Sequence, residues 1–497
     1  MGRVPGWPVV LGTGAAAVAA GAVLTTGAVA TAAPALRPAP ARATAVTAGR
    51  HTGPAPAGRH TGSAPAASPA PASARPPAAR PAPAAGSPPA ARPPASAARP
   101  GASAARPAAA VRVGAAAGAR ATKAPHARVA KGPRARRLYA PAPTSGALRQ
   151  AAELRLAGRL AEAAGVLAMA RTPRAVWLTG GSPAATERRV RAVMRAATRQ
   201  RAVPALVLYD VPGRDCARYS AGGAADGTRY RAWIDAVARA LGGGPALVVL
   251  EPDSLALLPS ECAGTRAAEA GPAEARTAAR YRDLSYAVGA LAGRHGTRVY
   301  LDAGHPAWHS VRDIVPRLVR AGAGRAAGFS LNVANFQPDE AVTWYGSLVS
   351  SCLGYAARGG DPADCPDQGT PHDRARAWLA AHVPAKPSAL PHFVADTGRN
   401  GQGPWSASRA GSPAPEDWCN PPGRGLGARP TLRTGDPLED ARLWIKVPGE
   451  SDGGCLRGTQ GPADPRRGTP DPPAGAWFSE MALELIRGAR PPVLGGV

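Results

Sequence analysis

The sequence predicts an α/β protein whose folded part is a parallel βα barrel, and two observations support this fold class. Short apolar runs, each followed by polar residues, alternate with helical patterns over about 350 residues. The runs are continuous rather than alternating, which is typical of strands buried on both faces of a parallel sheet. A doubly wound open sheet is the alternative architecture. The seven predicted strands are Ala175–Leu178, Ala205–Asp210, Ala246–Asp253, Arg298–Asp302, Gly328–Asn332, His392–Asp396 and Arg442–Lys446.

The intervening helices are predicted from apolar residues that recur three and four positions apart. This spacing is clear in 190–197, 230–241 and 281–291, and it places the apolar side chains on one helix face. Neither GxGxxG nor GxxxxGK[ST] follows a predicted strand, so nucleotide binding has no support.

The first 136 residues differ in composition from the rest of the chain. Residues 1–140 contain 18 of the 60 Lys and Arg residues and no Asp or Glu. Residues 1–32 are predicted to be a secretory signal peptide, with an uncleaved membrane anchor as the alternative. Residues 33–136 form an Ala/Pro/Arg-rich linker, predicted to be disordered because it has few large apolar side chains to bury. The folded domain is therefore expected at 137–497.

The formal net charge of +27 does not indicate a nucleic-acid partner. The basic residues of the linker are spread along it and lack interleaved aromatic residues. We therefore expect weak contact with an anionic cell surface rather than nucleic-acid binding. Six cysteines lie in the folded part, where export would favour disulfides, but they allow 15 pairings. None has zinc-site spacing, so no metal is expected.

Polar side chains cluster after six of the predicted strands. Because the carboxyl ends of parallel strands meet at one end of a barrel, we expect these side chains to face a common site. Carboxylates together with flat aromatic rings are typical of sites that hydrolyse glycosidic bonds. The residues concerned are Tyr209, Asp215, Glu251, Asp253, Asp302, His305, Trp308, Asn335, Arg399, Lys446, Glu450 and Asp452, with Trp177, Trp405 and Trp418 in neighbouring segments.

Seven ordered motifs resemble those of glycoside hydrolase family six. They are YDVPGRDCARYSAGG (209–223), VVLEPDSLA (248–256), YLDAGHPAW (300–308), LNVANFQ (331–337), ADTGRNGQGPW (395–405), DWCNPPGRGLG (417–427) and LWIKVPGESDGGC (443–455). The resemblance implies an endoglucanase or cellobiohydrolase acting on β-1,4-glucan. It also implies a distorted seven-stranded βα barrel, inversion of anomeric configuration, and no cofactor.

The resemblance also implies roles for individual residues. Asp253 resembles the general acid, Asp215 the carboxylate that keeps this acid protonated, and Asp452 the proposed base. Tyr209 resembles the residue that crowds the distorted sugar. The residues that match substrate-binding positions are Trp177, Asp302, His305, Trp308, Asn335, Arg399, Trp418, Lys446 and Glu450.

Nearest-neighbour disulfides are expected. The resemblance implies Cys216–Cys262 and Cys419–Cys455, and proximity alone adds Cys352–Cys365. The stretch from Trp344 to Leu390 is long enough to cover a cleft or to lie on the surface.

We expect a secreted monomer, either free or associated with the cell wall, that acts on a polysaccharide by internal cleavage. A cellobiohydrolase, a non-catalytic glycan-binding protein on the same fold, and an adhesin whose functional part is the linker are the alternatives.

Overall fold

The computed structural model describes residues 137–262, 272–383, 386–406 and 416–494. The predicted signal peptide (1–32) and the predicted linker (33–136) fall outside the described residues, so both stay predictions. In the described part, no helix is both long and apolar enough to cross a membrane.

A seven-stranded parallel sheet is the centre of the fold and confirms the predicted fold class. Its strand order is β2-β4-β5-β6-β7-β8-β9, so successive strands of the sheet are neighbours. A separate two-stranded pair, β1 with β3, was not expected from the sequence. The strands are β1 Arg137–Leu138, β2 Val176–Leu178, β3 Ala202–Val203, β4 Ala205–Leu208, β5 Ala246–Leu250, β6 Thr297–Asp302, β7 Gly328–Leu331, β8 His392–Asp396 and β9 Glu439–Leu443.

Nine helices accompany these strands in the described part of the chain. Several begin with a side chain that accepts a bond from the first helical turn, as Asp226 does from the Arg229 amide at 2.8 Å. The helices are α1 Ser145–Leu156, α2 Leu160–Arg171, α3 Pro183–Gln200, α4 Gly227–Leu241, α5 Ala273–Ala292, α6 Val311–Arg320, α7 Asp339–Ala356, α8 His372–His382 and α9 Ser479–Arg487.

The sheet is buried on both faces, as its continuous apolar runs predict. Val248 and Leu250 of β5 point into the core between sheet and helices. Leu247 and Val249 alternate with them and point into an inner cluster made mostly of strand residues. The sheet is therefore curled, with an interior filled by side chains.

Closure between the first and last strands of the sheet depends on isolated hydrogen bonds rather than a strand ladder. The Ala175 amide donates to the Trp444 carbonyl oxygen at 2.9 Å. The Trp177 indole N–H donates to the Ile445 carbonyl oxygen at 2.8 Å. This partial closure makes the barrel distorted and leaves the top of the β2/β9 junction open.

The last strand begins and ends three residues earlier than the predicted range, 442–446. The Asp396 carboxylate accepts hydrogen bonds from the Ile445 amide at 3.1 Å and the Lys446 amide at 2.8 Å. Because a side chain satisfies these backbone groups, the apolar residues after Leu443 leave the ladder.

The three expected disulfides are confirmed. Their Cα–Cα separations are 5.4, 6.1 and 5.7 Å for Cys216–Cys262, Cys352–Cys365 and Cys419–Cys455. The first joins the loops after β4 and β5, and the last joins two loops at the C-terminal side of the barrel. Both therefore hold chain segments that follow strand ends.

The stretch from Trp344 to Leu390 forms most of α7, all of α8 and their connection. Within it, the Gln368 amide donates to the Pro306 carbonyl oxygen at 2.8 Å, and Asp367 accepts from the Val311 amide at 2.6 Å. None of the described residues in this stretch lines the main cleft. It supports the loop that carries Trp308 from outside.

Candidate active site

A cleft of about 1080 Å³ lies at the carboxyl ends of the strands. Its walls come from loops that follow the strands of the seven-stranded sheet, as the clustering of polar residues predicts. Asp302 and Arg399 do not line it. The predicted site residues that do are Trp177, Tyr209, Asp215, Asp253, His305, Trp308, Asn335, Trp418, Lys446, Glu450 and Asp452.

Asp253 is positioned by a sharp change of backbone direction after β5. Its φ of 65° is in the left-handed region, which is uncommon for residues other than glycine. Part of the side chain faces the cleft, but protein surrounds most of it. This desolvation raises the pKa of Asp253 well above its usual value, and the charges of Asp302 and Asp215 raise it further. Asp253 therefore holds its proton in conditions where an exposed aspartate has lost it.

Asp302 lies behind Asp253 rather than on the cleft wall. One of its carboxylate oxygens accepts from the Asp253 amide at 3.0 Å, and the other accepts from the Ser330 hydroxyl at 3.1 Å. The side chain is 1% exposed, and burial raises its pKa to about 7. Its geometry thus favours positioning of Asp253 over the substrate contact predicted from the sequence.

Asp215 begins a short 3₁₀ turn that is held in an uncommon conformation. Asp215 and Cys216 have φ values of 57° and 47°, and such residues cost about 1–3 kcal/mol each. The bridge to Cys262 and a 2.7 Å bond from the Ser220 amide to the Asp215 carboxylate hold the turn in place. Burial raises the pKa of Asp215, although the Ser220 bond and nearby arginines oppose this.

Asp452 has the opposite electrostatic environment. Its two oxygens lie 2.7 Å from a guanidinium nitrogen of Arg399 and 3.1 Å from the Lys446 ammonium. The Asn420 amide donates to it at 3.0 Å. Burial alone would raise the pKa of Asp452, but the two cations outweigh burial and lower it. Asp452 is therefore held as a carboxylate on the cleft wall.

Arg399 acts from behind the wall. Its guanidinium is 1% exposed, donates to Asp452 and to the Ala334 carbonyl oxygen, and lies 4.6 Å from the centre of the Phe336 ring. With no contact to the cleft, Arg399 is placed to hold Asp452 rather than to bind a substrate.

Aromatic rings provide flat surfaces along the cleft. Trp177 and Tyr209 meet edge to face with ring centres 5.5 Å apart. Trp308 is 37% exposed, although it is a large apolar side chain. Trp418 lies near Tyr219, with 5.9 Å between ring centres. Such exposed or cleft-lining rings are the kind of surface on which sugar rings stack.

Polar groups between these rings have distinct charge states. Burial lowers the pKa of His305 to about 4, so its imidazole is neutral near pH 7. Burial raises the pKa of Glu450, with Lys446 opposing the shift. The Asn335 side-chain oxygen accepts from the Phe336 amide at 2.8 Å, which leaves its amide nitrogen to face the cleft.

Glu251, the other acid of the EPD motif, is not a cleft residue. It is fully buried and accepts from the backbone amides of Asp210 at 2.9 Å and Val211 at 3.0 Å. Burial raises its pKa to about 7. Glu251 joins the ends of β4 and β5 and thereby fixes the spacing of the two loops that carry Asp215 and Asp253.

Arg214, Arg218 and Tyr219 are among the cleft residues that were not singled out from the sequence. The Tyr219 hydroxyl donates to Glu416 at 3.0 Å and accepts from the Leu456 amide at 3.0 Å, so it links the Asp215 loop to two others. The surrounding glycines made this segment resemble an ordinary turn, which concealed its part in the cleft.

Among the described residues, no group of three or more His, Cys, Asp or Glu side chains is arranged to hold a metal ion.

Comparison with known proteins is consistent with this site. Residues 133–489 match the family described as Glycosyl hydrolases family 6. Endoglucanase A of Cellulomonas fimi is 34% identical over 323 residues, which are 65% of this chain and 56% of that protein. The chain thus spans little more than half of that relative's length. A probable 1,4-beta-D-glucan cellobiohydrolase C of Neosartorya fischeri is 32% identical over 352 residues, covering 65% of this chain and 71% of that protein.

The endoglucanase Cel6 from Mycobacterium tuberculosis has a similar structure. It was solved with methyl-cellobiosyl-4-deoxy-4-thio-beta-D-cellobioside bound. The match has a TM-score of 0.53 and 35% identity and covers 71% of this chain and 98% of that one.

Proposed function

The chain belongs to glycosyl hydrolases family 6, and we propose that it is a secreted enzyme that hydrolyses β-1,4-glucosidic bonds in cellulose or a related β-glucan. The observation that carries this proposal is the charge difference between two aspartates of one cleft. Asp253 has a raised pKa and Asp452 a lowered one. Acetal hydrolysis needs this pair, because one carboxylic acid must donate a proton while a carboxylate assists water.

In the proposed reaction, Asp253 protonates the glycosidic oxygen as the bond to the anomeric carbon breaks. Water attacks that carbon from the opposite face, and its proton passes to Asp452 directly or through a second water. One bond to the anomeric carbon breaks and one forms, so a β-link yields an α-product. Asp215 maintains the proton on Asp253 through its nearby negative charge.

The cleft walls offer contacts for several sugar units. We assign Trp177, Trp308 and Trp418 to stacking and Tyr209 to crowding of the sugar at the cleavage point. His305, Asn335, Lys446 and Glu450 are assigned to sugar hydroxyls, because all four line the same cleft.

The proposal is tested with a panel of cellulose, mixed-linkage β-glucan, xylan and chitin, followed by proton NMR of fresh products. We expect hydrolysis of at least one β-glucan, with the α-anomer appearing first. Initial β-product would contradict inversion and the role of Asp452. No release from any β-glucan would favour a non-catalytic glycan-binding protein.

We further propose that the enzyme cuts within chains. The relatives include both endoglucanases and cellobiohydrolases, so they do not choose between the two modes. Internal cleavage is favoured because the described part of 344–390 does not line the cleft, and because Trp308 is open to solvent. Carboxymethyl-cellulose viscosity should fall steeply while few reducing ends appear. A slow fall with accumulating cellobiose would instead favour a cellobiohydrolase.

Secretion is supported by the three disulfides, which are typical of proteins outside the reducing cytosol. Protein recovered from the culture medium should therefore begin after the predicted signal peptide, and N-terminal sequencing checks this. Retention in the membrane fraction would favour the anchor alternative.

A further inference from the structure

Three cations line the cleft, and two of them are bonded to protein groups. The Arg214 guanidinium donates to the carbonyl oxygens of Ser220 at 2.8 Å and Ala221 at 3.2 Å, among others. The Lys446 ammonium donates to the Ser451 carbonyl oxygen at 2.9 Å and pairs with Asp452. Both are thus held in place by protein groups.

Arg218 differs from both. Its side chain is exposed and lines the cleft. In the part of the chain that the structure describes, its guanidinium has no hydrogen bond or ion pair. Only its backbone is bonded: the amide donates to the Asp215 carbonyl oxygen at 2.9 Å, and the carbonyl oxygen accepts from the Ala221 amide at 3.1 Å. Its position is close to the reacting groups, since its charge lowers the pKa of both Asp215 and Asp253.

The rest of the cleft would repel a negatively charged substrate. Asp215, Asp417, Glu450 and Asp452 line it, whereas Asp253 holds its proton. A carboxylate on the polysaccharide is therefore tolerated only where a cation faces it. A free guanidinium suits this purpose, because its planar donors match the two oxygens of a carboxylate.

We propose that Arg218 makes this enzyme accept carboxylate-bearing glucans, with the acidic substituent held by the Arg218 guanidinium beside the cleavage point. This inference rests on the proposed glucanase function and adds the chemical class of the substrate. Arg218 is thus a specificity-determining residue, whereas Asp253 and Asp452 perform the reaction on neutral and acidic chains alike.

The test compares two soluble polymers, carboxymethyl cellulose and neutral hydroxyethyl cellulose, at about pH 6, where carboxylates are ionised. Arg218→Gln should lower the ratio of their kcat/KM values by about three- to tenfold, the range for a partly exposed charged hydrogen bond. Arg218→Lys should restore only part of the ratio, because it keeps the charge but not the planar pair of donors. Arg188→Gln, on an exposed arginine of α3, is the matched control and should leave the ratio unchanged.

Salt provides a second readout. The preference of the unmodified protein for the acidic polymer should weaken as ionic strength rises, because exposed charges are screened. The Arg218→Gln ratio should respond less. An equal change of kcat/KM on both polymers in Arg218→Gln would overturn the proposal, since it would mean that Arg218 acts on the shared reaction.

Binding separates this inference from the proposed function. In the Asp253→Asn background, calorimetry compares cellotetraose with cellotetraose oxidised to the carboxylate at C6. Tighter binding of the oxidised sugar that disappears in Asp253→Asn/Arg218→Gln supports the proposal, even if the unmodified protein hydrolyses neither polymer and the glucanase function fails. Equal affinities with and without Arg218 overturn it, whatever the hydrolysis assays show.

Discussion

The two sides of the cleft place the same residue type in opposite surroundings. Around Asp253 the charged neighbours that most affect its pKa are other acids, Asp302 and Asp215. Around Asp452 they are cations, Arg399 and Lys446. Both aspartates are withdrawn from bulk water, so desolvation raises the pKa of each. The neighbours decide the outcome, and they make one side an acid and the other a carboxylate.

The contrast also explains why buried charges are arranged in two layers. Asp302 and Arg399 both stand behind the wall, and each bonds to the aspartate in front of it. The protonation state of the aspartate that touches the substrate is thus set by a residue that does not touch it. Asp302 and Arg399, rather than the two aspartates themselves, therefore determine which aspartate is the acid and which is the carboxylate.

Asp253→Asn should have the largest effect. It removes the proton donor, so hydrolysis of β-glucan should fall by about 10²–10⁴-fold, the usual range for acid catalysis. A glycosyl fluoride, whose leaving group needs no proton, should be affected far less. Steady-state rates on both substrates measure this.

Asp373→Asn, at an exposed aspartate of α8, is the control for the chemical change and should keep full activity. Equal losses on glucan and fluoride in Asp253→Asn would mean that Asp253 binds substrate or stabilises the fold rather than donating a proton.

Arg399→Gln should have the next largest effect, at the opposite side of the cleft. Loss of a cation raises the pKa of Asp452, which must be ionised to accept a proton. The acidic limb of the kcat/KM profile should therefore move upward by roughly one pH unit. Breaking a buried ion pair also costs about 3–5 kcal/mol, so folding must be checked.

Two further variants keep this prediction testable. Arg399→Lys retains the charge and should return the limb toward its original pH. Lys446→Gln removes the other cation and should move the limb in the same direction as Arg399→Gln. An acidic limb that stays in place in folded Arg399→Gln and Lys446→Gln would exclude Asp452 as the titrating base.

Asp215→Asn should produce a smaller change, on the acid side. Without the Asp215 charge, the pKa of Asp253 falls, and Asp253 loses its proton at lower pH. The alkaline limb should move downward by up to about one unit, while activity at the acidic end changes little. An unchanged alkaline limb would show that Asp215 does not maintain the proton on Asp253.

The sequence was sufficient to predict which acids meet. Asp215, Asp253 and Asp452 follow strands of one parallel sheet, and the ends of such strands gather at one place. The continuous apolar run of β5 likewise predicted burial on both faces. These features depend on strand order and on the pattern of apolar residues, and both can be inferred directly from the local sequence.

The sequence could not predict which strand-end residues face the cleft. Asp302 and Arg399 occur in the same motifs as true wall residues, but backbone direction turns them behind the wall. The end of β9 was hidden similarly, because Asp396 accepts hydrogen bonds from the amides of Ile445 and Lys446, which lie 49 and 50 residues further along the chain. Such tertiary hydrogen bonds leave no mark in the local pattern.

The smallest predicted effect concerns stability and lies at Glu251, which is buried beneath the Asp253 side of the cleft. Burial raises the pKa of Glu251 to about 7, from about 4.3 in an unfolded chain. Below about pH 4 both states are protonated and the contribution is fully present. As pH rises toward 7, only the folded state retains the proton, so the free energy of unfolding falls, by at most about 1.4 kcal/mol per pH unit.

In Glu251→Gln this part of the pH dependence of the unfolding free energy should vanish. Urea unfolding between pH 4.5 and 7 measures it, with Glu153→Gln at an exposed position of α1 as the control. If Glu251→Gln kept the slope of the unmodified protein, Glu251 would be ionised in the fold, and the rule that neighbours decide charge would extend below the cleft through its bonds to the Asp210 and Val211 amides.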